Sequence, residues 1–299
     1  MSADARALPA LIGGATLIGL APIFVRLSDV GPSAVAFWRL ALALLVLVPA
    51  WLIAERRAAP ARPGAREPVF PHSARLPWGL LLGGLFFAGD LSVWHHSLHW
   101  TSVANATLLT NLAPVWVALV AWGWFRERIG AGFWFGLLLT LAGAVVLMAD
   151  SLGISTRTLI GDGLAIVTSL FYAGYLLVLS RSRAHHGTLA VMVWTTAAAA
   201  LAVLPIALLE PQPFWPQSMQ GWWVVIGLAL LSHVGGQGLI AFGFAHLPAS
   251  FSAVSLLMQP VAAAVFAWLL LAEAFGAQQA LGGAIVLGGI LLCRRASAR

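Results

Sequence analysis

Charge, lysine and cysteine are what this sequence has least of. Among 299 residues there is no lysine, one cysteine, two tyrosines and only 9% charged side chains, where a soluble domain carries about 25%. The lone Cys293 excludes an intramolecular disulfide and brings no metal-ligand spacing with it. All sixteen basic residues are arginine, dispersed over short hydrophilic stretches rather than gathered on a polar domain. Nucleic acid is therefore not an expected partner, despite a pI near 11.2. HExxH, GxSG and paired catalytic Asp motifs are missing too, which leaves an intramembrane enzyme as a remote option. No cofactor is implied.

What is present is apolar: 61% hydrophobic residues with fourteen Trp and a mean hydropathy of +0.92. At about 20 residues per span, ten segments reach membrane length, near 8–27, 32–54, 77–98, 102–124, 129–149, 161–182, 188–209, 221–246, 249–271 and 276–293. The first run is longer than the apolar part of a signal peptide and lacks a clear cleavage site, so it reads as span 1. The one long connection, Glu55 to Pro77, is rich in Arg, Pro and Ala and reads as a surface loop. With the N-terminus cytoplasmic, inner segments hold Arg6, Arg56, Arg57, Arg62, Arg66, Arg75, Arg126, Arg128, Arg181, Arg183, Arg294, Arg295 and Arg299. Outer segments hold only Arg26 and Arg157. That asymmetry satisfies the positive-inside rule and predicts both termini in the cytoplasm.

The second half repeats the first. A shift of 156 positions brings Gly31 onto Gly187, Trp38 onto Trp194 and Pro49 onto Pro205. A shift of 146 brings Pro114 onto Pro260, Trp122 onto Trp268, Glu127 onto Glu273, Gly136 onto Gly282 and Gly143 onto Gly289. Two five-span units, residues 1–149 and 150–299, must be inverted relative to each other because five is odd. Inverted repeats mark transporters whose site lies where the halves meet.

The polar residues of that interior are concentrated between Phe86 and Val117, which hold Asp90, His95, His96, His99, Asn105 and Asn111. Asp90 is the only carboxylate near the centre of an apolar span, where a charged group costs about 2.5–3.5 kcal/mol on insertion scales and is a functional candidate by default. It reads as a contact for a substrate ammonium, as a proton carrier, or as a buried acid bonded to a neighbouring helix. Trp94 lies one turn on. His95 and His99 have the i, i+4 spacing of a metal pair, but no further ligand accompanies them and no metal is expected. In span 8, SHVGGQG places His233 and Gln237 on one face of a helix that its glycines weaken, which reads either as local unwinding toward a polar substrate or as close packing with His233 hydrogen-bonded across helices. Span 9 sets Ser252, Ser255 and Gln259 on one stripe before Pro260, and Pro114 follows Asn111 in span 4; both prolines are expected to kink their helices. Tyr172 and Tyr175, in the middle of span 6, read as an aromatic wall. Arg39, inside span 2, reads as a structural pair or outer gate. Glu127 and Glu273 are expected to complement the positive ends of the helices that open at Gly130 and Gly276. Spans 5 and 10, with glycines at packing intervals, read as packing helices, internal or between protomers.

LAPVWVALVAWGWFRERIGAGFWFGLLLTLAGAVVLM and LMQPVAAAVFAWLLLAEAFGAQQALGGAIVLGGILL, each an early-Pro helix followed by Glu and a Gly-punctuated helix, resemble the EamA family of the drug/metabolite transporter (DMT) superfamily. The WRL of span 2 and the twofold repeat fit as well, so the resemblance covers nearly the whole chain. Within the family the pattern is most similar to YddG-type exporters of aromatic and other amino acids. The resemblance implies an all-α protein of a bacterial-type inner membrane that exports small metabolites by alternating access, its cavity lined by spans 1, 3, 4, 6, 8 and 9. Other DMT cargoes, such as a nucleoside, purine or organic cation, are the alternative, and Asp90 could serve proton coupling. The arginine count makes a direct prediction. In a Cys293→Ser background, cysteines placed at Pro63 and Ser297 should react only with cytoplasmic thiol reagents, and one at Ser155 only from outside. External labelling at position 63 would overturn the orientation.

Overall fold

A computed structural model describes residues 3–58, 78–98, 100–149, 158–183, 186–272 and 275–297. Most of the expected surface loop before Pro77, and also His99 and Glu273, lie outside the described residues. Every regular element described is helical. Nine stretches among the described residues are long and apolar enough to cross a membrane. The remaining expected span is α4 (Trp78–Ser97), 20 residues whose hydropathy is diluted by Asp90, His95 and His96. This is a polytopic membrane protein.

Three spans are cut near their middles. Span 1 is α1 (Ala3–Ile18) and α2 (Ala21–Arg26); span 4 is α5 (Val103–Thr110) and α6 (Ala113–Gly123); span 9 is α12 (Ala249–Ser255) and α13 (Met258–Leu271). Pro22, Pro114 and Pro260 sit in the first turns of α2, α6 and α13, where a missing N–H does least harm. Tighter i→i+3 bonds bridge the breaks, Leu20 N to Leu17 O (3.2 Å), Leu112 N to Leu109 O (3.1 Å) and Leu257 N to Val254 O (3.0 Å). Span 8 takes the close-packed course rather than the unwound one. Between α10 (Met219–Gly227) and α11 (Gly238–Gly243), residues Leu228–Gln237 widen into a π-helix instead of unwinding. The wider turn keeps its backbone groups bonded while its glycines admit α1 at close range: a Cβ on Gly14 would stand 2.7 Å from the Gly236 carbonyl oxygen. Ser232, in the π segment, donates to the Leu17 carbonyl (3.2 Å) beside the break in span 1.

Around these elements the helices pair lengthwise. α3 (Pro32–Ala58) lies along α9 (Thr188–Leu209), α4 along α8 (Thr158–Arg183), and α1 against the π segment and α11. α7 (Ala131–Met148) and α14 (Ala277–Ser297), spans 5 and 10, pack on each other within the chain. A Cβ on Gly136 would come within 2.9 Å of the Cys293 backbone nitrogen, which is why small residues recur there.

Acids from neighbouring connections hold the helix beginnings. Glu210 accepts from the Ser33 N–H (3.1 Å) and hydroxyl (2.6 Å) at the start of α3. Asp29 accepts from the Ser218 hydroxyl (2.7 Å) and the Gln217 N–H (3.2 Å) just ahead of α10. Glu127 accepts from the Ala249 N–H (3.1 Å) and the Ser250 hydroxyl (2.6 Å) at the start of α12. Glu127 thus serves a distant helix rather than α7, the one it precedes. The intervening Arg126 takes a left-handed conformation (φ 56°), and the Glu127 N–H returns to the Ala121 carbonyl (2.9 Å), turning the chain away from α7. Removing this cap should cost about 1–2 kcal/mol. Glu127→Ala is therefore expected to lower the thermal midpoint in detergent; an unchanged midpoint would mean that α12 is held without it.

Candidate functional site

The breaks in spans 1, 4 and 9 converge on a cavity of about 90 Å³. Ile18, Gly19, Ala21 and Pro22 line it from span 1, Phe87, Asp90, Leu91 and Trp94 from α4, and Thr107, Thr110 and Asn111 from the end of α5. Tyr172 of α8, Gln237 of the π segment, and Gln259 and Ala263 of α13 close it, and Arg39 enters from α3. The walls therefore come from spans 1, 2, 3, 4, 6, 8 and 9. A broken helix belongs here, since backbone irregularity at membrane depth is tolerated where it lines a cavity.

Both charges in this lining are nearly enclosed, with Asp90 8% and Arg39 4% exposed. Among the described residues neither makes a hydrogen bond or a direct ion pair. The Arg39 guanidinium instead lies over the Phe87 ring, 5.9 Å from its centroid. Among the described residues, five buried atoms of the lining lack hydrogen bonds: Arg39 Nε, Thr107 Oγ1, Thr110 Oγ1, Asn111 Nδ2 and Gln237 Oε1. Some nine in ten buried polar atoms are ordinarily bonded, and each unmet one costs about 1–3 kcal/mol. A cavity with five of them suits a polar, hydrogen-bonding occupant rather than an alkyl one.

One wall is aromatic. Tyr172 stacks toward Tyr175 (centroids 6.3 Å apart), Tyr175 on Phe87 (4.6 Å), and Phe87 faces His233 (5.6 Å). Gln259 Nε2 donates to the Tyr172 hydroxyl (3.3 Å), tying α13 to α8 across the cavity.

Seven residues singled out in the sequence thus share the cavity: Arg39, Asp90, Trp94, Asn111, Tyr172, Gln237 and Gln259. Four do not line it. Tyr175 is a second row behind Tyr172 and Phe87, and His233 is bonded to the Thr196 hydroxyl (2.8 Å). Ser252 and Ser255 are fully buried in α12, with Ser255 donating to the Phe251 carbonyl (2.9 Å). Their stripe with Gln259 presumed an uninterrupted helix, and the break at Leu256 and Leu257 ends that periodicity. Thr107 and Thr110 were not singled out, although their i, i+3 spacing ahead of Asn111 and Pro114 placed them on one face. The histidines at the end of α4 turn elsewhere. His96 Nε2 lies 3.2 Å from Glu210 Oε1, and no group of three potential metal ligands occurs among the described residues.

The model of the EamA-like transporter family matches twice, over residues 5–149 and 159–295. The chain belongs to the EamA-like transporter family. An uncharacterized transporter of Archaeoglobus fulgidus is 26% identical over 278 residues, covering 90% of this chain and 91% of its own. The pseudopaline exporter CntI of Pseudomonas aeruginosa is 23% identical over 210 residues, 70% of this chain and 72% of its own. A solved crystal structure, 21% identical in sequence, superposes with a TM-score of 0.81 over 98% of this chain and 99% of its own, and so shares the fold. In a Cys293→Ser background, cysteines at Thr110, Asn111 and Gln259 should react with a small permeant thiol reagent, while one at Ser255 should stay unreactive. Equal labelling at Ser255 and Asn111 would show that the lining is misassigned.

Proposed function

We propose that this transporter exports amino acids, aromatic ones included, and related small zwitterionic metabolites across the inner membrane by alternating access. The observation that carries the reading is an acid and a guanidinium, Asp90 and Arg39, lining one cavity without pairing to each other. An ammonium would face Asp90, a carboxylate Arg39, and the side chain would lie among Phe87, Trp94 and Tyr172. Arg39 weighs against an organic cation, for which a second positive charge in the cavity is unfavourable. The pseudopaline exporter among the relatives supports export as the direction.

The scaffold is two inverted five-helix repeats, residues 1–149 and 150–299, with both termini in the cytoplasm. Each half carries its own match to the family model. The packing also supports the repeat. Spans 5 and 10 pair, as do spans 2 and 7, and the contact of span 3 with span 6 is answered by that of span 8 with span 1. Arg126 and Ala272, which the shift of 146 superposes, are the two non-glycine residues with positive φ among those described (56° and 53°).

Counterflow in liposomes tests the reading. Wild-type protein should exchange tryptophan well and tryptamine, which lacks the carboxylate, poorly. A hydrogen bond to a charged group contributes about 1.5–3 kcal/mol, so Arg39→Gln should weaken tryptophan exchange about 10- to 150-fold and leave tryptamine little changed. Asp90→Asn should weaken both. If Asp90 instead carries a coupled proton and does not hold the ammonium, Asp90→Asn abolishes pH-driven flux while counterflow survives. Wild-type exchange of tryptophan by both variants would remove the zwitterion reading.

A further inference from the structure

We propose that the turn joining α6 to α7 is a binding site for the phosphate headgroup of an anionic phospholipid. A cavity of about 690 Å³ opens there, lined by Trp122, Arg126, Glu127, Arg128, Gly132 and Ala296. Its level in the membrane follows from the helices around it. α7 has 18 residues, about 27 Å at 1.5 Å per residue, which nearly matches a hydrocarbon core of about 30 Å. The turn that opens α7 is therefore at the headgroup boundary. Trp122, 56% exposed, and Trp124, 81% exposed, stand at the same end, as interfacial tryptophans do. α14 runs along α7 and delivers Arg294 and Arg295 in its last turn, next to the lining Ala296.

The arginines of this cavity are free to meet an anion. Arg126 and Arg128 make no ion pair or hydrogen bond among the described residues. The acid between them, Glu127, is committed to the Ala249 N–H and the Ser250 hydroxyl. The fold does not need these arginines. In the matching turn of the second half, FRERIG becomes LAEAFG: Glu is kept, and both arginines are replaced by Ala272 and Ala274. Arg126 even occupies a left-handed position, usual for glycine, that its own side chain does nothing to favour. A phosphate with an acyl chain lying against the exposed tryptophans satisfies the two guanidinium groups and the aromatic rim together.

The test is lipid retention, read by native mass spectrometry, after extraction from vesicles of equal phosphatidylglycerol and phosphatidylcholine. Wild-type protein should retain phosphatidylglycerol preferentially. Arg126→Gln/Arg128→Gln should lower that preference about 30-fold, at roughly fivefold per basic residue near an anionic surface. Arg56→Gln/Arg57→Gln, an equal charge loss at the exposed end of α3, should leave it intact. Arg126→Gly, whose backbone suits the left-handed turn, guards against loss of folding and should lower the preference about fivefold. Unchanged preference in the double variant would overturn the site and leave the arginines as orientation signals. Equal loss in the α3 control would reduce it to general surface charge. Saturable binding of inorganic phosphate that displaces phosphatidylglycerol would assign the cavity to a soluble anion instead.

Discussion

Hydrocarbon offers no partner for a free peptide group, and this constraint governs the rest of the structure. A helix can be broken at membrane depth only where protein or a polar cavity receives what the break releases. Spans 1, 4 and 9 are each broken, and their breaks meet at one place. The cavity is thus the condition on which three interrupted helices are tolerated. Ser232 shows the same demand on a small scale, its hydroxyl bonding the Leu17 carbonyl beside the first break.

The half-helices that result are short, seven residues in α12 and six in α2, too short to be stable on propensity alone. They are secured at their ends and sides by other parts of the chain. Glu127 caps α12 from 122 positions earlier in sequence, and the α7–α14 pair packs outside them through glycine contacts. The acids that cap α3 and α12, and the one just ahead of α10, all stand in connections, so local charge is spent on helix beginnings rather than on the membrane interior.

Much of this was legible in the linear pattern. Span number and the residues around Asp90 follow from hydropathy and from the cost of burying a charge, and the prolines announced where spans 4 and 9 would break. What misled was periodicity carried across those breaks. Ser252 and Ser255 share a helical stripe with Gln259 only if α12 and α13 are continuous. The glycines of span 8 signalled weakness without saying how it would be relieved, because a π turn and an unwound turn need the same residues. Glu127 precedes α7, and only the left-handed turn at Arg126 shows that it reaches α12.

The sequence by itself determined that the chain is a membrane protein of about ten spans, duplicated within itself and carrying one acid deep in an apolar helix. These are properties of composition and period, which the bilayer reads one helix at a time. Tertiary structure alone decided which polar groups share a cavity. Arg39 joins Asp90 there from another helix, and Thr107 and Thr110 enter where span 4 breaks, while Tyr175 and His233 fall one layer behind. Such placements depend on how helices rotate about their axes and where they cross. Those are set by contacts between residues far apart in the chain, about which local pattern carries no information.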